Sequence, residues 1–325
     1  MSTLKDVAEK AGVTVTTVSR VLNNRGYISE ATRKKVYRVM KEMDYQPNEL
    51  ARSLSKNKAN IIGVIVPSVM HPYFCEVVNY LEFYASRAGY KLMLCNSNHQ
   101  KDKEYEYIKM LKSNKVSGII LSSRTENIEN FLPVNLPVIL FERDTSNRIS
   151  SISCDNYSGG EMAARHLVAC GCKNLIHISG IQNILMPADA RKDAFVRVCE
   201  DNQIPYKVFS TEETQFLSLD YEEALEQIIL SNPDVDGIFA SSDVIAAGII
   251  RVCSKNKIRI PEDIKLVGFD DIKLASLTTP KITTIHQPIE QMCACAIDIL
   301  IRQIDDGFLP SKTVLPIFLF KREST

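Results

Sequence analysis

Carboxylate side chains follow several apolar runs in the second part of the chain, and this pattern predicts a binding chemistry. Glu142 follows the run LPVILF, Asp243 follows IFASS, and Asp270 ends KLVGFD. Ligands of open parallel α/β sheets bind beyond the carboxyl ends of the strands, so a site is expected there. Carboxylates paired with an arginine suit a polyhydroxylated ligand, because each group can hold two hydroxyls in a fixed geometry.

Aromatic and amide side chains occupy similar positions. Tyr73 and Phe74 follow the run IIGVIVP and could stack on a sugar ring or a base, although core packing is an equally good interpretation for aromatics at a helix start. Phe239 and Ser242 lie around the end of the run IFASS, and Gln287 follows TTIH beside a crossover. All five are candidate ligand contacts.

Sequence signatures of the common enzyme classes are absent. The chain has no G-x-G-x-x-G, G-x-x-x-x-G-K, H-E-x-x-H or G-x-S-x-G pattern, so dinucleotide, triphosphate, zincin and hydrolase functions lack their motifs. Its nine cysteines include two C-x-C pairs, but neither pair has zinc-site spacing, and we expect reduced core thiols. No cofactor, metal or catalytic residue is predicted.

The net charge of zero hides an asymmetry along the chain. Residues 1–59 hold twelve Lys and Arg against six Asp and Glu, a balance of +6, so the remaining residues carry −6. A basic block on an otherwise acidic protein indicates a polyanion partner for that block, with a solvated basic face as the alternative. The segment MSTLKDVAEK has no apolar stretch of signal-peptide length, and we expect a cytoplasmic protein.

Three short helical patterns organise the basic block. Thr3 can cap a first helix with Asp6 in capping-box position, a second helix runs from Thr14 to about Leu22, and Ser29 begins a third. Two short helices joined by a glycine-containing turn and braced by a third are typical of a helix-turn-helix, whose second helix enters the major groove of DNA. A small helical bundle without a ligand is the alternative.

The segment LKDVAEKAGVTVTTVSRVLNNRGYISEATRKKV resembles the DNA-binding headpiece of the lactose/galactose/purine repressor (LacI) family. The resemblance implies that Val15, Thr16 and Arg20 meet base edges. Arg20 can make a bidentate contact to guanine, and the methyl groups of Val15 and Thr16 suit a thymine methyl, although Val15 could instead pack on the helix face. Residues better suited to hold phosphates are Thr14, Thr17, Ser19 and Asn23.

The next segment, YQPNELARSLSKNK, predicts a helix of barely two turns with Asn48 as its cap. Helices this short are marginal in water, so the segment needs a partner to fold. An interdomain linker is the alternative. The resemblance implies a hinge helix that pairs with its copy in a dimer, with Leu54 pushed into the minor groove, where apolar wedges kink DNA.

From residue 61 onward, short apolar runs alternate with amphipathic helical segments. The expected strands are IIGVIVP, KLMLCNS, SGIILSS, LPVILFE, NLIHISG, DGIFASS and KLVGFD. The expected helices are 74–88, 102–114, 157–170, 187–201, 219–231 and 243–255. One sheet cannot comfortably hold so many strands, so we predict two doubly wound parallel-sheet α/β subdomains. This core resembles the periplasmic-binding-protein-like core of the same family, and the resemblance covers essentially the whole chain.

Three parts follow from this organisation. A helix-turn-helix headpiece covers 1–47, a hinge helix and linker cover 48–59, and an effector-binding and dimerisation core covers 60–325. Each subdomain of the core is expected to take two stretches of chain: about 60–155 with 286–316, and about 156–285 with 317–325.

The resemblance adds two residues to the expected effector site and bears on a third. Arg191, in MPADARKDAF, matches the segment whose arginine binds effector hydroxyls. Asp155, in SISCDNYSGG, matches an Asp-Asn pair at the crossover, although a helix cap is the slightly favoured interpretation. Glu142 departs from the Asp-Arg pair of many relatives, so its longer side chain leaves a direct ligand bond open.

Together these features predict a homodimeric transcriptional repressor that holds a palindromic operator and responds to a small effector. The motifs VLNNRGYIS and DNYSGG resemble sucrose-type members of the family, which favours a sugar. A purine or sugar-phosphate corepressor on the same architecture is the alternative. An α/β sugar-phosphate enzyme would leave the helix-turn-helix unused, and an extracytoplasmic sugar-binding protein would need a signal peptide and no headpiece. A dimer is expected because only KREST follows the last apolar run, LPIFLF.

Overall fold

The structure is a computed structural model that describes residues 3–22, 24–45, 60–133, 135–144, 149–182, 184–307 and 312–325. The chain divides into two compact units, residues 1–59 and 60–325, and each has its own hydrophobic core. The predicted hinge helix with Leu54, and the predicted phosphate contact Asn23, lie outside the described residues.

Among the described residues of the first unit, 3–22 and 24–45, there are three helices: α1 Leu4–Lys10, α2 Val15–Leu22 and α3 Glu30–Glu42. The predicted capping box begins α1, because Thr3 Oγ1 accepts from Asp6 N at 3.3 Å and Asp6 Oδ2 accepts from Thr3 N at 2.7 Å. Val7, Val18 and Val36 bring the three helices together in a fully buried cluster. The predicted helix-turn-helix is confirmed.

In the described part of the second unit, the strands form two six-stranded sheets. The first sheet consists of β1 Ile61–Val66, β2 Lys91–Asn96, β3 Gly118–Leu121, β4 Val138–Phe141, β5 Ser150–Cys154 and β11 Lys312–Leu315. The second sheet consists of β6 Leu175–Ser179, β7 Tyr206–Ser210, β8 Gly237–Ala240, β9 Lys265–Asp270, β10 Thr283–His286 and β12 Phe318–Phe320.

The first sheet has the order β11-β5-β4-β3-β1-β2 and is entirely parallel. The second has the order β12-β10-β9-β8-β6-β7, and only β12, which pairs with β10, is antiparallel. The central strands are buried along their length, which is why they appear in the sequence as continuous apolar runs. The predicted pair of parallel-sheet subdomains is confirmed.

Eight further α-helices are described in this unit. They are α4 Pro72–Arg87, α5 Lys101–Ser113, α6 Asn156–Ala169, α7 Ala190–Asp201, α8 Glu213–Ser218, α9 Glu222–Leu230, α10 Asp243–Lys255 and α11 Ile289–Asp305. The chain passes from the first sheet to the second between β5 and α6, and it returns after β10 through α11. None of the helices within the described ranges is long and apolar enough to cross a membrane.

The structure adjusts several predicted elements. The helix expected from residue 187 begins at Ala190, because 187–189 form a 3-10 turn. The helix expected over 219–231 begins at Glu222, because Leu219 has a φ of +57° that interrupts it. The expected elements did not include strands β7, β10 and β11 or helices α8 and α11. Strand β7 is a partly exposed edge strand, so it lacks the apolar run of a central strand.

Candidate functional site

Helix α2 exposes the side chains predicted to meet bases. Val15 is 42% exposed, and Thr16 and Arg20 are exposed as well. Val18 and Val21 of the same helix are buried in the core of the unit. The exposure of Val15 argues against the interpretation of this residue as helix-face packing, and the three exposed side chains can all reach a partner surface.

The candidate phosphate contacts lie at the start and along the flank of the same helix. Thr14 Oγ1 accepts from Thr17 N at 3.1 Å, and the two hydroxyl oxygens are 2.9 Å apart. Thr14 is exposed, whereas Thr17 and Ser19 are half-buried. Hydroxyls at the first turn of a helix are suited to a phosphate, because backbone N–H groups point outward there.

A cavity of about 140 Å³ lies where the carboxyl ends of both sheets meet. Residues that follow β1, β3 and β4 line it from one subdomain, and residues that follow β6, β8 and β9 line it from the other. Seven of the ten predicted effector contacts belong to this lining: Tyr73, Phe74, Glu142, Arg191, Ser242, Asp270 and Gln287. The strand-end argument therefore brings most of its candidates to one place.

Arg191, near the start of α7, is held by partners on several elements. Its Nε donates to Asn156 Oδ1 at 2.7 Å, and its Nη1 donates to the Ser241 carbonyl at 2.7 Å. The guanidinium carbon lies 3.5 Å from the centroid of the Phe269 ring, and Nη1 is 3.9 Å from Asp270 Oδ1. The side chain is 6% exposed, so these contacts fix a buried cation at the cavity wall.

Asp270 ends β9 with a φ of +105°, a conformation that non-glycine residues rarely adopt. Its Oδ1 accepts from Gln287 Nε2 at 2.6 Å, and Gln287 Oε1 in turn accepts from the Tyr73 hydroxyl at 3.4 Å. Burial raises the pKa of Asp270 to about 7 and outweighs the opposing attraction of Arg191. Backbone strain at a buried, polar cavity wall is typical of a functional position.

Glu142 lines the cavity and also braces it. Glu142 has a φ of +51°. Its Oε1 accepts a hydrogen bond from Cys154 N at 2.7 Å, and its Oε2 accepts one from Asn156 Nδ2 at 3.2 Å. Burial raises the pKa of this carboxyl, and Arg191 partly opposes the effect. The longer side chain thus reaches the crossover and orients Asn156, which holds Arg191.

Three predicted effector contacts lie outside the cavity lining. Asp155 caps α6, since its Oδ1 accepts from Ser158 N at 3.0 Å. Phe239 is fully buried within β8 and stacks on His177 with ring centroids 4.6 Å apart. Asp243 is also fully buried.

Asp243 is committed to neighbouring parts of the second subdomain. Its Oδ1 accepts from the Thr284 hydroxyl at 2.6 Å, and its Oδ2 accepts from Ile272 N at 3.0 Å. Burial, together with the nearby Asp270 carboxylate, raises the pKa of Asp243 well above its ordinary value. This carboxyl therefore ties β10 and the loop after β9 to the start of α10 instead of facing a ligand.

Several lining residues were not predicted. Ser122, Ser123 and Arg124 follow β3, and Ser179 ends β6, so the strand-end rule could have found them. No local signal pointed to Phe216, because it lies on the short helix α8, which follows an edge strand. Other unpredicted members of the lining include His71, Asp189, Thr211, Tyr221 and Ser241.

An aromatic wall, made of His71, His99 and Phe216, joins the two subdomains beside the cavity. The ring of Phe216 stacks on His71 at a centroid distance of 4.8 Å, and His99 meets its edge at 4.7 Å. Burial lowers the pKa of both histidines to about 4. Nearby, Arg124 Nη2 donates to the Ile181 carbonyl across the two subdomains.

The arrangement can bind a small polar molecule but offers no metal cluster. Across the described stretches of the chain, no group of three His, Cys, Asp or Glu side chains could hold a metal ion. The polar groups at the cavity wall are instead carboxylates, hydroxyls, guanidinium groups and an amide, with aromatic faces between them. This combination is typical of sites for polyhydroxylated ligands.

Two family descriptions match the chain. Residues 3–48 match bacterial regulatory proteins of the lacI family, and residues 164–325 match the periplasmic binding protein-like domain. The first match covers the helix-turn-helix, and the second covers most of the second subdomain and α11.

Full-length relatives agree with these matches. The chain is 39% identical to the sucrose operon repressor of Streptococcus mutans serotype c over 321 residues, 99% of this chain and 98% of that protein. It is 35% identical to the ribose operon repressor of Halalkalibacterium halodurans over 326 residues, 100% of this chain and 97% of that protein. A periplasmic binding protein/LacI transcriptional regulator from Alkaliphilus metalliredigens QYMF, complexed with D-xylulofuranose, is 32% identical, with a TM-score of 0.72 over 82% of this chain and 99% of that one. The chain therefore belongs to the lacI family of bacterial regulatory proteins.

Proposed function

We propose that the protein represses an operon for carbohydrate use, and that a sugar bound in the cavity controls its affinity for operator DNA. The observation that carries the proposal is the buried polar network from Arg191 through Asp270 and Gln287 to Tyr73, which spans the two subdomains at the cavity wall. A ligand that pairs with these groups would favour one arrangement of the subdomains over another. No catalytic step is proposed.

The relatives support a sugar as the effector. Those described above are repressors of sucrose and ribose operons, and the related structure was solved with D-xylulofuranose. A sugar also fits the chemistry of the lining, because carboxylates and arginines hold hydroxyls while aromatic faces cover the ring. Operator DNA lies in the bacterial cytoplasm, so we place the protein there.

On the DNA side, we propose that Arg20 reads a guanine and that Val15 and Thr16 contact bases beside it. All three side chains are exposed on α2. The headpiece would cover 1–47 and a hinge 48–59, with Leu54 at the operator centre. Two copies on a two-fold axis would then require a palindromic operator with half-sites about one helical turn apart.

Operator selection followed by sugar titration tests the proposal. The full chain is used to select duplexes from a random library, and the enriched duplex is then titrated by fluorescence anisotropy with and without each sugar of a panel. We expect a palindromic consensus and a sugar that changes operator affinity about 5- to 150-fold. A selection that enriches no common sequence would refute the DNA-binding half. A panel without effect on affinity would refute the effector half.

A further inference from the structure

Two imidazoles of the aromatic wall each keep a buried ring nitrogen that no described group of the chain pairs with. The two atoms are His71 Nδ1 and His99 Nε2. His71 is 5% exposed, and so is the side chain of His99. A protonated imidazole needs an acceptor for both of its N–H groups, and a buried charge without one is costly. The wall therefore suits the two rings only in their neutral form.

The charges around His99 do not compensate a proton on its ring. Glu213 Oε1, on α8, lies 3.6 Å from His99 Nδ1, but the Glu213 side chain is 47% exposed, so water screens its charge. Arg124, which follows β3, repels a positive charge on His99, although Asp189 and Glu213 offset part of that repulsion. Burial, with the repulsion of Arg124, lowers the pKa of His99 from 6.5 to about 4.

The surroundings of His71 are more apolar still. Its ring stacks on Phe216 and makes a T-shaped contact with Phe74. Neither of these rings can accept a proton, and a charge on His99 would repel one on His71. Burial, with this repulsion, lowers the pKa of His71 from 6.5 to about 4. Protonation of either imidazole thus opposes the packing of both.

The wall connects the two subdomains. His71 precedes α4 and His99 follows β2 in the first subdomain, whereas Phe216 lies on α8 in the second. Both imidazoles contact Phe216. If the subdomains part about the crossovers that join their sheets, Phe216 leaves and both imidazoles meet water. An imidazole in water takes up a proton near pH 6.5, so acid favours the parted arrangement.

We propose that the aromatic wall is an acid-sensitive latch, which joins the two subdomains while His71 and His99 are neutral and releases them when the rings are protonated. The proposal concerns residues 60–325 alone and depends on neither effector nor operator. The latch is fully effective above pH 6.5 and loses its effect as pH falls towards 4. Between pH 7.5 and 5.5, each imidazole should raise the ratio of parted to joined molecules about tenfold, and both together about a hundredfold.

A tryptophan at position 216 tests the latch, because the chain contains no tryptophan of its own. In the full chain carrying Phe216→Trp, emission should shift to longer wavelength and acrylamide quenching should rise severalfold between pH 6.5 and 4. Far-ultraviolet circular dichroism should stay constant over the same range. Emission that does not change down to pH 4, or that changes only together with the circular dichroism, would overturn the proposal.

Histidine substitutions in the tryptophan variant identify the groups that titrate. His71→Phe and His99→Phe together keep rings in the wall but remove the sites of protonation, so the pH response should disappear. The matched control is His166→Gln, because His166 is also half-buried with a lowered pKa but contacts Thr325 at 2.9 Å and not the wall. The control should keep the full response. A double variant that keeps it as well would show that other groups open the wall.

Histidine ring resonances measure the same linkage without a tryptophan in the wall. The chain has five histidines, and the resonances lost in His71→Phe and in His99→Phe identify the two wall rings. By nuclear magnetic resonance on the unsubstituted full chain, both should titrate below about pH 5.5, well under the ordinary value. A wall ring that titrates above that value is not held neutral by the packing, and this result would refute the latch.

Discussion

At the residue scale, some side chains that were expected to contact a ligand instead hydrogen-bond other residues of the chain and hold the cavity wall in place. Both carboxylate oxygens of Glu142 already accept hydrogen bonds within the chain, one from Cys154 N and the other from Asn156 Nδ2. Asn156 passes this constraint to Arg191 through a 2.7 Å hydrogen bond. A preorganised guanidinium loses little freedom on binding, which favours affinity.

Arg20→Ala tests base reading by α2. If the guanidinium pairs with a guanine edge, the substitution should cost about 1 to 3 kcal/mol at the operator and much less on random DNA. Fluorescence anisotropy at fixed salt measures both. As a control, Arg38→Ala removes the same charge from the exposed side of α3. Any loss of affinity that it causes should be the same for operator and for random DNA. Equal losses on operator and random DNA for Arg20→Ala would show that this residue holds only the backbone.

Asp270→Asn tests the raised pKa of the cavity carboxyl. Between pH 4 and 7 the native state keeps a proton that the unfolded state has lost, so this group makes stability fall as pH rises through that window. The amide cannot ionise. We compare the free energy of unfolding of the Asp270→Asn variant with that of the original protein. This difference should favour the variant by about 2 to 3 kcal/mol more at pH 8 than at pH 5.

Denaturant unfolding at the two pH values measures this difference. The control is Asp263→Asn, since Arg259 lowers the pKa of that exposed carboxyl to about 2 and no titration falls between pH 5 and 8. A difference independent of pH for Asp270→Asn would mean that Asp270 is ionised throughout.

At the element scale, the close approach of α6 and α7 places Arg191. A Cβ at Gly160 would overlap the backbone carbonyl and Cα of Arg191, and a Cβ at Gly159 would overlap the ring of Phe269 and the side chain of Ile317. The consecutive glycines in DNYSGG therefore let α6 pack directly on the start of α7 and on the end of β9.

The Gly160→Ala substitution measures how much the stability of the protein and its response to sugar depend on this contact between α6 and α7. Alanine is the better helix former by about 1 kcal/mol, but the backbone of Arg191 cannot move aside like a flexible side chain. The steric cost of the overlap should exceed the gain in helix propensity. We expect a net loss of about 1 to 3 kcal/mol in unfolding free energy and a smaller effect of sugar on operator affinity. Tyr157→Ala, on an exposed face of the same helix, should change stability by no more than about 0.5 kcal/mol. A stabilised Gly160→Ala variant would show that the two helices can separate freely.

At the scale of the whole molecule, contacts between the subdomains would let a ligand in one cavity influence the chain elsewhere. The Lys273 backbone N–H donates to Glu76 Oε1 at 2.8 Å, and the Tyr73 hydroxyl donates to Gln287. These contacts join the first sheet's helix α4 to loops of the second sheet. A sugar can shift this arrangement only by its differential affinity for the two states.

Linkage gives the sharpest test at this scale. If a saturating sugar changes operator affinity by some factor, saturating operator must change sugar affinity by the same factor. We expect a factor of about 5 to 150, measured by anisotropy for DNA and by calorimetry for the sugar. A random duplex of equal length is the control and should leave sugar affinity nearly unchanged. An operator that leaves sugar affinity as unchanged as the random duplex does would show that the sugar site and the DNA site are not coupled.

Much of the fold follows from local sequence patterns. The capping box at Thr3 and Asp6, the helix-turn-helix and the buried strands depend on residue types at fixed short spacings, so they could be predicted. The strand-end rule also located Asp270 and Gln287 at one cavity, because parallel strands bring their carboxyl ends to a common edge, and the family resemblance added Arg191.

The tertiary structure alone decided which side chains face the ligand space. Asp243 and Phe239 have the right types at the right strand end, yet Asp243 accepts from Thr284 and Ile272 and Phe239 lies in the core. Phe216 and His71 are 145 residues apart, and only packing between the two subdomains stacks them. Local spacing dictates where an element begins and ends, whereas burial, pKa and hydrogen-bond partners depend on groups that distant parts of the chain bring into contact.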